Sequence, residues 1–217
     1  MKRLWRKALV ALLAPPLSPA LCLRGPRRRP AVALTFDDGP RPDFTPAVLD
    51  LLAQAGAQAT FFLEGQRVEK HPELARRIRA AGHEIGNHGY AHDGSPLRVQ
   101  VERCAKALSD CGLGTRLFRP PRGRIGVREA ARLAAAGYRT VLWSFDARDS
   151  MRHEGKWRGP APDYGRVRAG DIVLLHDDNP VCAAELPPLL ALLREKRLVP
   201  VTVSELLRGR AGRGGAA

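Results

Sequence analysis

The sequence predicts a single α/β domain built on a parallel sheet, and three observations carry that expectation. Seven short apolar runs alternate with amphipathic segments, the order that parallel strand pairing through crossover helices requires. The 217 residues suffice for one substantial core, and no linker-like stretch divides them. Several apolar runs end abruptly in acidic or imidazole-bearing loops, where barrel enzymes keep their chemistry.

The elements follow in order. Ala31 to Phe36 is the first strand, broken by Gly39-Pro40, and a helix opens near Thr45-Pro46. Ala59 to Leu63 is the second strand, followed by a helix from Pro72. His83 to Gly86, Arg116 to Phe118 and Tyr138 to Phe145 are the next strands, with helices from Ser95-Pro96 and Val127 between them. Several helices are expected to open with a capping residue followed by Pro at the first helical position. Asp149 to Arg168, rich in charge, Gly and Pro, shows no clear period. Asp171 to Leu175, a helix from Ala183, and Val199 to Val203 complete the set; residues 209–217 have the composition of a disordered tail. Periodicity alone fits either an open doubly wound sheet or a barrel of fewer than eight units.

The first residues are organised differently. Lys2, Arg3, Arg6 and Lys7 precede an apolar run from Ala8 to Leu13 and a Pro-broken stretch to Leu23, so residues 1–24 are expected to be a signal peptide or N-terminal anchor. Ser18 and Ala20 offer a cleavage site, whereas Leu21 before Cys22 disfavours a lipid anchor. The run is too short and Pro-rich for a stable membrane span. Export to the periplasm, cell envelope or medium is the expectation.

Lys and Arg outnumber Asp and Glu by 36 to 22, a net charge of +14 that suits an anionic partner. Scattered Arg residues on helix-like segments explain much of it, and no aromatic-basic interleaving is present, so specific nucleic-acid binding is not expected. Cys22, Cys104, Cys111 and Cys182 lack metal-like spacing. An even count permits disulfides, yet Cys104 and Cys111 in one helix are expected as buried thiols.

The strand tips carry the chemistry. Asp37 and Asp38 are adjacent carboxylates that resist joint ionisation unless a cation lies beside them; alone, Asp-Asp-Gly is an ordinary acidic turn. His88 and His92, four apart after the third strand, can converge on one ion as a helical turn or through the loop that Gly89 permits. With Asp38 they make a two-nitrogen, one-oxygen set that leaves room for water, the pattern of a catalytic zinc site. His71 and His83 have no partner pattern and are expected to be structural. Arg119-Pro120-Pro121-Arg122-Gly123 is a rigid loop whose amide can face an oxyanion, and Arg119 can fork onto a carboxylate. Asp146 and Asp149 stand at the fifth strand's tip, and His176 at the sixth's, where an imidazole can donate a proton.

These motifs, in this order, resemble the polysaccharide deacetylase family, carbohydrate esterase family four, also called the NodB-homology domain. The resemblance spans Ala31 to about Leu207, with the domain set at residues 30–208, and implies a distorted (β/α)7 barrel with a divalent metal, usually zinc. It implies that Asp37 is the general base, that Asp38, His88 and His92 hold the metal, and that Arg119 orients the base. The Arg122 amide would hold the oxyanion, Leu174 line the acetyl pocket, and His176 act as general acid, tuned by Asp149, the best match, with the nearby Asp146 left open. Three positions depart from the family pattern: Gly89 in place of Ser or Thr, Arg122 in place of an aromatic residue, and Ser150 in place of Trp. The first removes a hydrogen bond that would orient a ligand, and the other two remove apolar walls around a sugar ring. The implied function is removal of N-acetyl groups from amino-sugar polymers or oligomers, peptidoglycan or chitin-like, with release of acetate, and a monomer is expected. The alternatives are an O-acetyl esterase on xylan-like chains and a non-catalytic glycan-binding module on the same barrel.

Overall fold

The computed structural model describes residues 20–208. The expected export segment up to residue 19 and the expected disordered tail, 209–217, lie outside the described residues.

Nine strands form one parallel sheet: β1 (Leu21–Cys22), β2 (Ala31–Gly39), β3 (Thr60–Leu63), β4 (Glu84–Asn87), β5 (Leu117–Phe118), β6 (Arg139–Val141), β7 (Phe145–Asp146), β8 (Ile172–His176) and β9 (Val199–Val201). The helices are α1 (Thr45–Gln54), α2 (Gly65–Lys70), α3 (Pro72–Ala80), α4 (Leu97–Asp110), α5 (Val127–Ala135), α6 (Asp149–His153), α7 (Pro180–Glu195) and α8 (Val203–Arg208). The strand order is β1-β6-β5-β4-β3-β2-β8-β7, with β9 also on β2.

β2 is the spine, because it pairs with β3, β8 and β9. Its apolar run is continuous because both faces are buried, as covered parallel sheets require. Val32, Leu34 and Phe36 pack outward with helix residues such as Leu49, Leu52 and Leu189, and Phe36 stacks on Phe61 at 4.9 Å. Each such fully buried side chain contributes about 1.5–3 kcal/mol. Ala33 packs inward with Phe62, Leu117, Val141 and Ile172. Period two then places Thr35 and Asp37 above this inner layer.

The run expected as one strand, Tyr138 to Phe145, is divided. β6 pairs with β5, then the chain leaves through Leu142–Ser144, where Ser144 N donates to Ile172 O at 3.0 Å, and β7 pairs with β8. One segment therefore runs from β6, the neighbour of edge strand β1, to β7 at the opposite edge of the row, and the sheet curls into the expected distorted barrel. The sheet also begins earlier than residue 30: Leu21–Cys22 pairs with β6, and Arg24 bridges Asp171 at the foot of β8.

The run expected to end at Val203 stops at Val201. Thr202 and Glu205 form a reciprocal cap, Thr202 N to Glu205 Oε2 at 3.1 Å and Glu205 N to Thr202 Oγ1 at 3.2 Å, which starts α8 at once. Val203 and Leu206 of α8 plug the base of the barrel. α7 starts at Pro180 rather than Ala183, since Asn179 Oδ1 accepts from Cys182 N at 3.1 Å and caps it. The region without clear period contains α6 and a 3-10 turn at Tyr164–Arg166. The four cysteines are free thiols.

Candidate active site

β2 carries two carboxylates to the open end of the barrel, and its geometry separates them. Asp37 continues the inward period and is 3% exposed. Asp38 adopts φ of 70°, a left-handed conformation that turns its side chain away from the alternation. Arg119 Nη1 donates to Asp37 Oδ1 at 2.7 Å and to Thr35 Oγ1 at 2.8 Å, while its Nε and Nη2 donate to Val141 O and Leu142 O at 3.1 and 3.3 Å. The guanidinium lies 4.1 Å over Phe62, so an Arg enclosed by the barrel is satisfied on every side.

The third strand delivers the imidazoles. His88 and His92 are not on a helical turn; the loop after β4 brings them together, their ring centroids 5.0 Å apart. Gly89, with φ of 85°, makes that bend, which explains a glycine at this departure from the family pattern. Gln100 of α4 fixes the loop: its Oε1 accepts from Tyr90 N at 2.8 Å and from Ala91 N at 2.7 Å. His88 Nδ1 lies 2.8 Å from Arg119 O, so Nδ1–H donates to the carbonyl and the Nε2 lone pair is left to face an ion.

Asp38 Oδ1 is 3.3 Å from His88 Nε2 and 3.5 Å from His92 Nε2. Zinc–ligand distances near 2.0–2.2 Å put neighbouring donor atoms about 3–3.5 Å apart, so these separations fit one ion. Asp38 Oδ1 and His92 Nε2 are also buried without a hydrogen-bond partner, a costly state that an ion relieves. Burial works to raise the Asp38 pKa, but the close approach of His88 and the neighbouring imidazoles of His176 and His92 hold it well below the carboxylate range. The trio is therefore a possible three-residue metal site.

Opposite, His176 stands across from Asp37 in the β2–β8 register. Asp149, the first residue of α6, places Oδ1 2.9 Å from His176 Nδ1, and its Oδ2 accepts from His176 N at 2.7 Å. Burial alone would lower the imidazole's pKa; the Asp149 carboxylate overrides it and raises it to about 10. Asp146 turns instead to Arg148, whose N donates to its Oδ1 at 3.0 Å, so the contact with His176 belongs to Asp149.

Leu174, 4% exposed, lies level with Thr35 on β8. Arg122 occupies a left-handed position, φ 56°, in a 3-10 turn Pro121–Gly123. A Cβ at Gly123 would fall 2.5 Å from Trp143, so the glycine lets the indole pack under this loop. Ser150 is half-buried in the first turn of α6. His83 and His71 are away from the site: His83 Nδ1 accepts from Ala59 N at 3.3 Å, and His71 lies beside Glu73.

Sequence reasoning missed four supporting residues. Thr35 links Arg119 to Val173 O, and Gln100 holds the histidine loop; a polar residue on the buried stripe of α4 was the signal for the latter. Glu64, 3% exposed, places Oε1 3.4 Å from His92 Nε2. Asp177 is fully buried, accepts from the Thr45 hydroxyl, and packs against Gly39, where a Cβ would lie 2.4 Å from its oxygens. Thr45 is thus a tie between loops, and α1 has no side-chain cap. Burial drives the Asp177 pKa up to about 7.

Comparison with known proteins sets this geometry in context. A family profile described as polysaccharide deacetylase matches residues 24–141. A Bacillus cereus protein named peptidoglycan-N-acetylglucosamine deacetylase is 40% identical over 200 residues, covering 84% of this chain and 91% of its own length. An Azorhizobium caulinodans chitooligosaccharide deacetylase is 35% identical over 164 residues, covering 69% of this chain and 75% of its own. A crystal structure of a peptidoglycan N-acetylglucosamine deacetylase with 4-naphthalen-1-yl-N-oxidanyl-benzamide superposes with a TM-score of 0.78 at 29% identity, covering 88% of this chain and 94% of that one.

Proposed function

The chain belongs to the polysaccharide deacetylase family, and from that premise we propose that it hydrolyses N-acetyl groups of an amino-sugar polymer, peptidoglycan or a chitin-like glycan, releasing acetate. The observation that carries this reading is the convergence of Asp37, the Asp38–His88–His92 trio and the His176–Asp149 pair at one open barrel end.

Asp38, His88 and His92 would hold a divalent ion, and the two-nitrogen, one-oxygen set favours zinc. When bound, the ion brings Lewis acidity toward the acetyl carbonyl and lowers the pKa of water to roughly 7. Asp37 takes the proton of the attacking water at Oδ2, because Oδ1 is engaged by Arg119. Arg119 holds that carboxylate in orientation. The Arg122 amide, presented by the left-handed turn, receives charge developing on the carbonyl oxygen. Leu174 gives the acetyl methyl an apolar wall. His176 delivers a proton from Nε2 to the departing amine, and Asp149 on Nδ1 stabilises the imidazolium before that transfer.

A monomer working outside the cytoplasm completes the proposal. The basic and apolar residues of segment 1–24 support export, as does a relative named for peptidoglycan, a polymer of the cell envelope. Acetate release measured on peptidoglycan, chitin oligomers and acetylated xylan tests the reading. Release from the first two supports it; release from xylan alone makes the chain an O-acetyl esterase. Bound metal without release from any glycan makes it a binding module.

A further inference from the structure

We propose that the barrel's base, opposite the site, is a cationic face that docks on an anionic lipid bilayer. Every strand runs parallel, so the residues entering the strands share one end of the barrel. Exposed Arg27 and Arg28 precede β2, Arg116 precedes β5, and Arg139 opens β6. Arg168 precedes β8 and Arg197 precedes β9, both exposed.

Backbone contacts bind these entrances into one surface. Gly25 N donates to Gly170 O at 2.8 Å, Gly170 N to Ala31 O at 2.8 Å, Arg139 N to Arg116 O at 2.7 Å, and Val199 N to Pro30 O at 2.7 Å. Acidic groups at this end are few or already engaged. Asp171 is buried and receives Arg24 and Ser144, and Glu84 Oε2 accepts from Thr60 and Ser204. Asp163 and Glu195 lie at one margin, in the shallow groove between α7 and the Tyr164–Arg166 turn.

The choice of a bilayer over a soluble polyanion rests on where the chain enters. Residues 1–19 contain Lys2, Arg3, Arg6 and Lys7 ahead of the apolar run Ala8 to Leu13, and they join the fold at Ala20, whose carbonyl accepts from Thr140 N at the foot of β6. The chain therefore enters the fold at the end that carries the Arg face. Docked this way, the base faces lipid and the candidate site faces outward.

The test is co-sedimentation of the full chain with vesicles of phosphatidylglycerol and phosphatidylcholine in equal parts, and with phosphatidylcholine alone. Anionic vesicles should capture the protein, with an affinity that falls as salt is raised. Arg27→Glu, Arg28→Glu and Arg168→Glu together should weaken that affinity on the order of a hundredfold or more. The same charge change on helix positions, Arg98→Glu, Arg103→Glu and Arg128→Glu, should leave most of it. Circular dichroism establishes that both variants fold, and the salt dependence of the unsubstituted chain stands independently of them. Equal capture by phosphatidylcholine alone, salt-independent capture, or undiminished binding of the base variant overturns the proposal. So does a soluble poly(glycerol phosphate) chain that binds the face more tightly than the anionic vesicles do. None of these outcomes depends on deacetylase activity.

Discussion

Arg119 and Asp37 meet at 2.7 Å, Nη1 to Oδ1, with Arg119 fully enclosed by the barrel and Asp37 3% exposed. The pair sits between the apolar plug below and the candidate metal trio above, so one contact serves both folding and chemistry. Removing one member leaves a buried charge without its partner, which costs about 3–5 kcal/mol. Arg119→Ala is therefore expected to lose that much stability in urea unfolding, together with most of its acetate release. A variant as stable as the parent would show that the pair is not the barrel's internal tie.

Asp37→Asn keeps the shape of the side chain and removes its basicity. Metal content measured by mass spectrometry should be retained, while acetate release falls about 10²–10⁴-fold. An unchanged rate would assign the proton transfer to another group.

His88→Ala and His92→Ala each remove one donor atom of the trio, as Asp38→Ala does. Metal content should drop from stoichiometric to a small residue in each, and a chelator should abolish activity of the parent reversibly. Stoichiometric metal in the His88 variant would mean that the ion is held elsewhere.

Asp149→Asn withdraws the charge that raises His176 to about 10. The general acid must be protonated to act, so the alkaline limb of the activity profile should move down toward the ordinary imidazole value of about 6.5. The measurement is the pH dependence of acetate release in both proteins, and an unmoved limb would remove Asp149 from this role.

Asp177 makes a prediction about stability alone. Its folded pKa of about 7 exceeds the ordinary carboxylate value, so between about 4 and about 7 the native state binds more protons than the unfolded chain. Unfolding free energy from this group therefore falls as pH rises through that window, by as much as about 4 kcal/mol. Asp177→Asn should flatten the slope when urea unfolding is compared at several pH values. An identical slope in both proteins would place the titration elsewhere.

Much of the site was legible because its residues lie at strand tips, where an apolar run yields to charged residues within one or two positions. Asp37, Asp38, His88, His92, Arg119 and His176 are all announced by that change. The parallel α/β class was legible for a related reason: each crossover carries its own strand and helix periods. The residues that support the site carry no such local mark. Thr35 lies inside an apolar strand, with partners 84 and 138 residues away, and Gln100 inside a helix, with its loop partners 9 and 10 residues away, all reached only when the elements pack.

The sequence by itself determined an alternating α/β chain, one end of which collects two carboxylates, two imidazoles, an Arg and a further His. Tertiary structure alone decided three things. It divided Tyr138 to Phe145 so that one segment closes the barrel, it gave His176 to Asp149 rather than Asp146, and it turned Asp38 away from Asp37. The reason is the same in each case. A strand's period specifies which face a side chain takes, but a bend, a left-handed residue or a pairing across the sheet is chosen by packing between segments far apart in the chain.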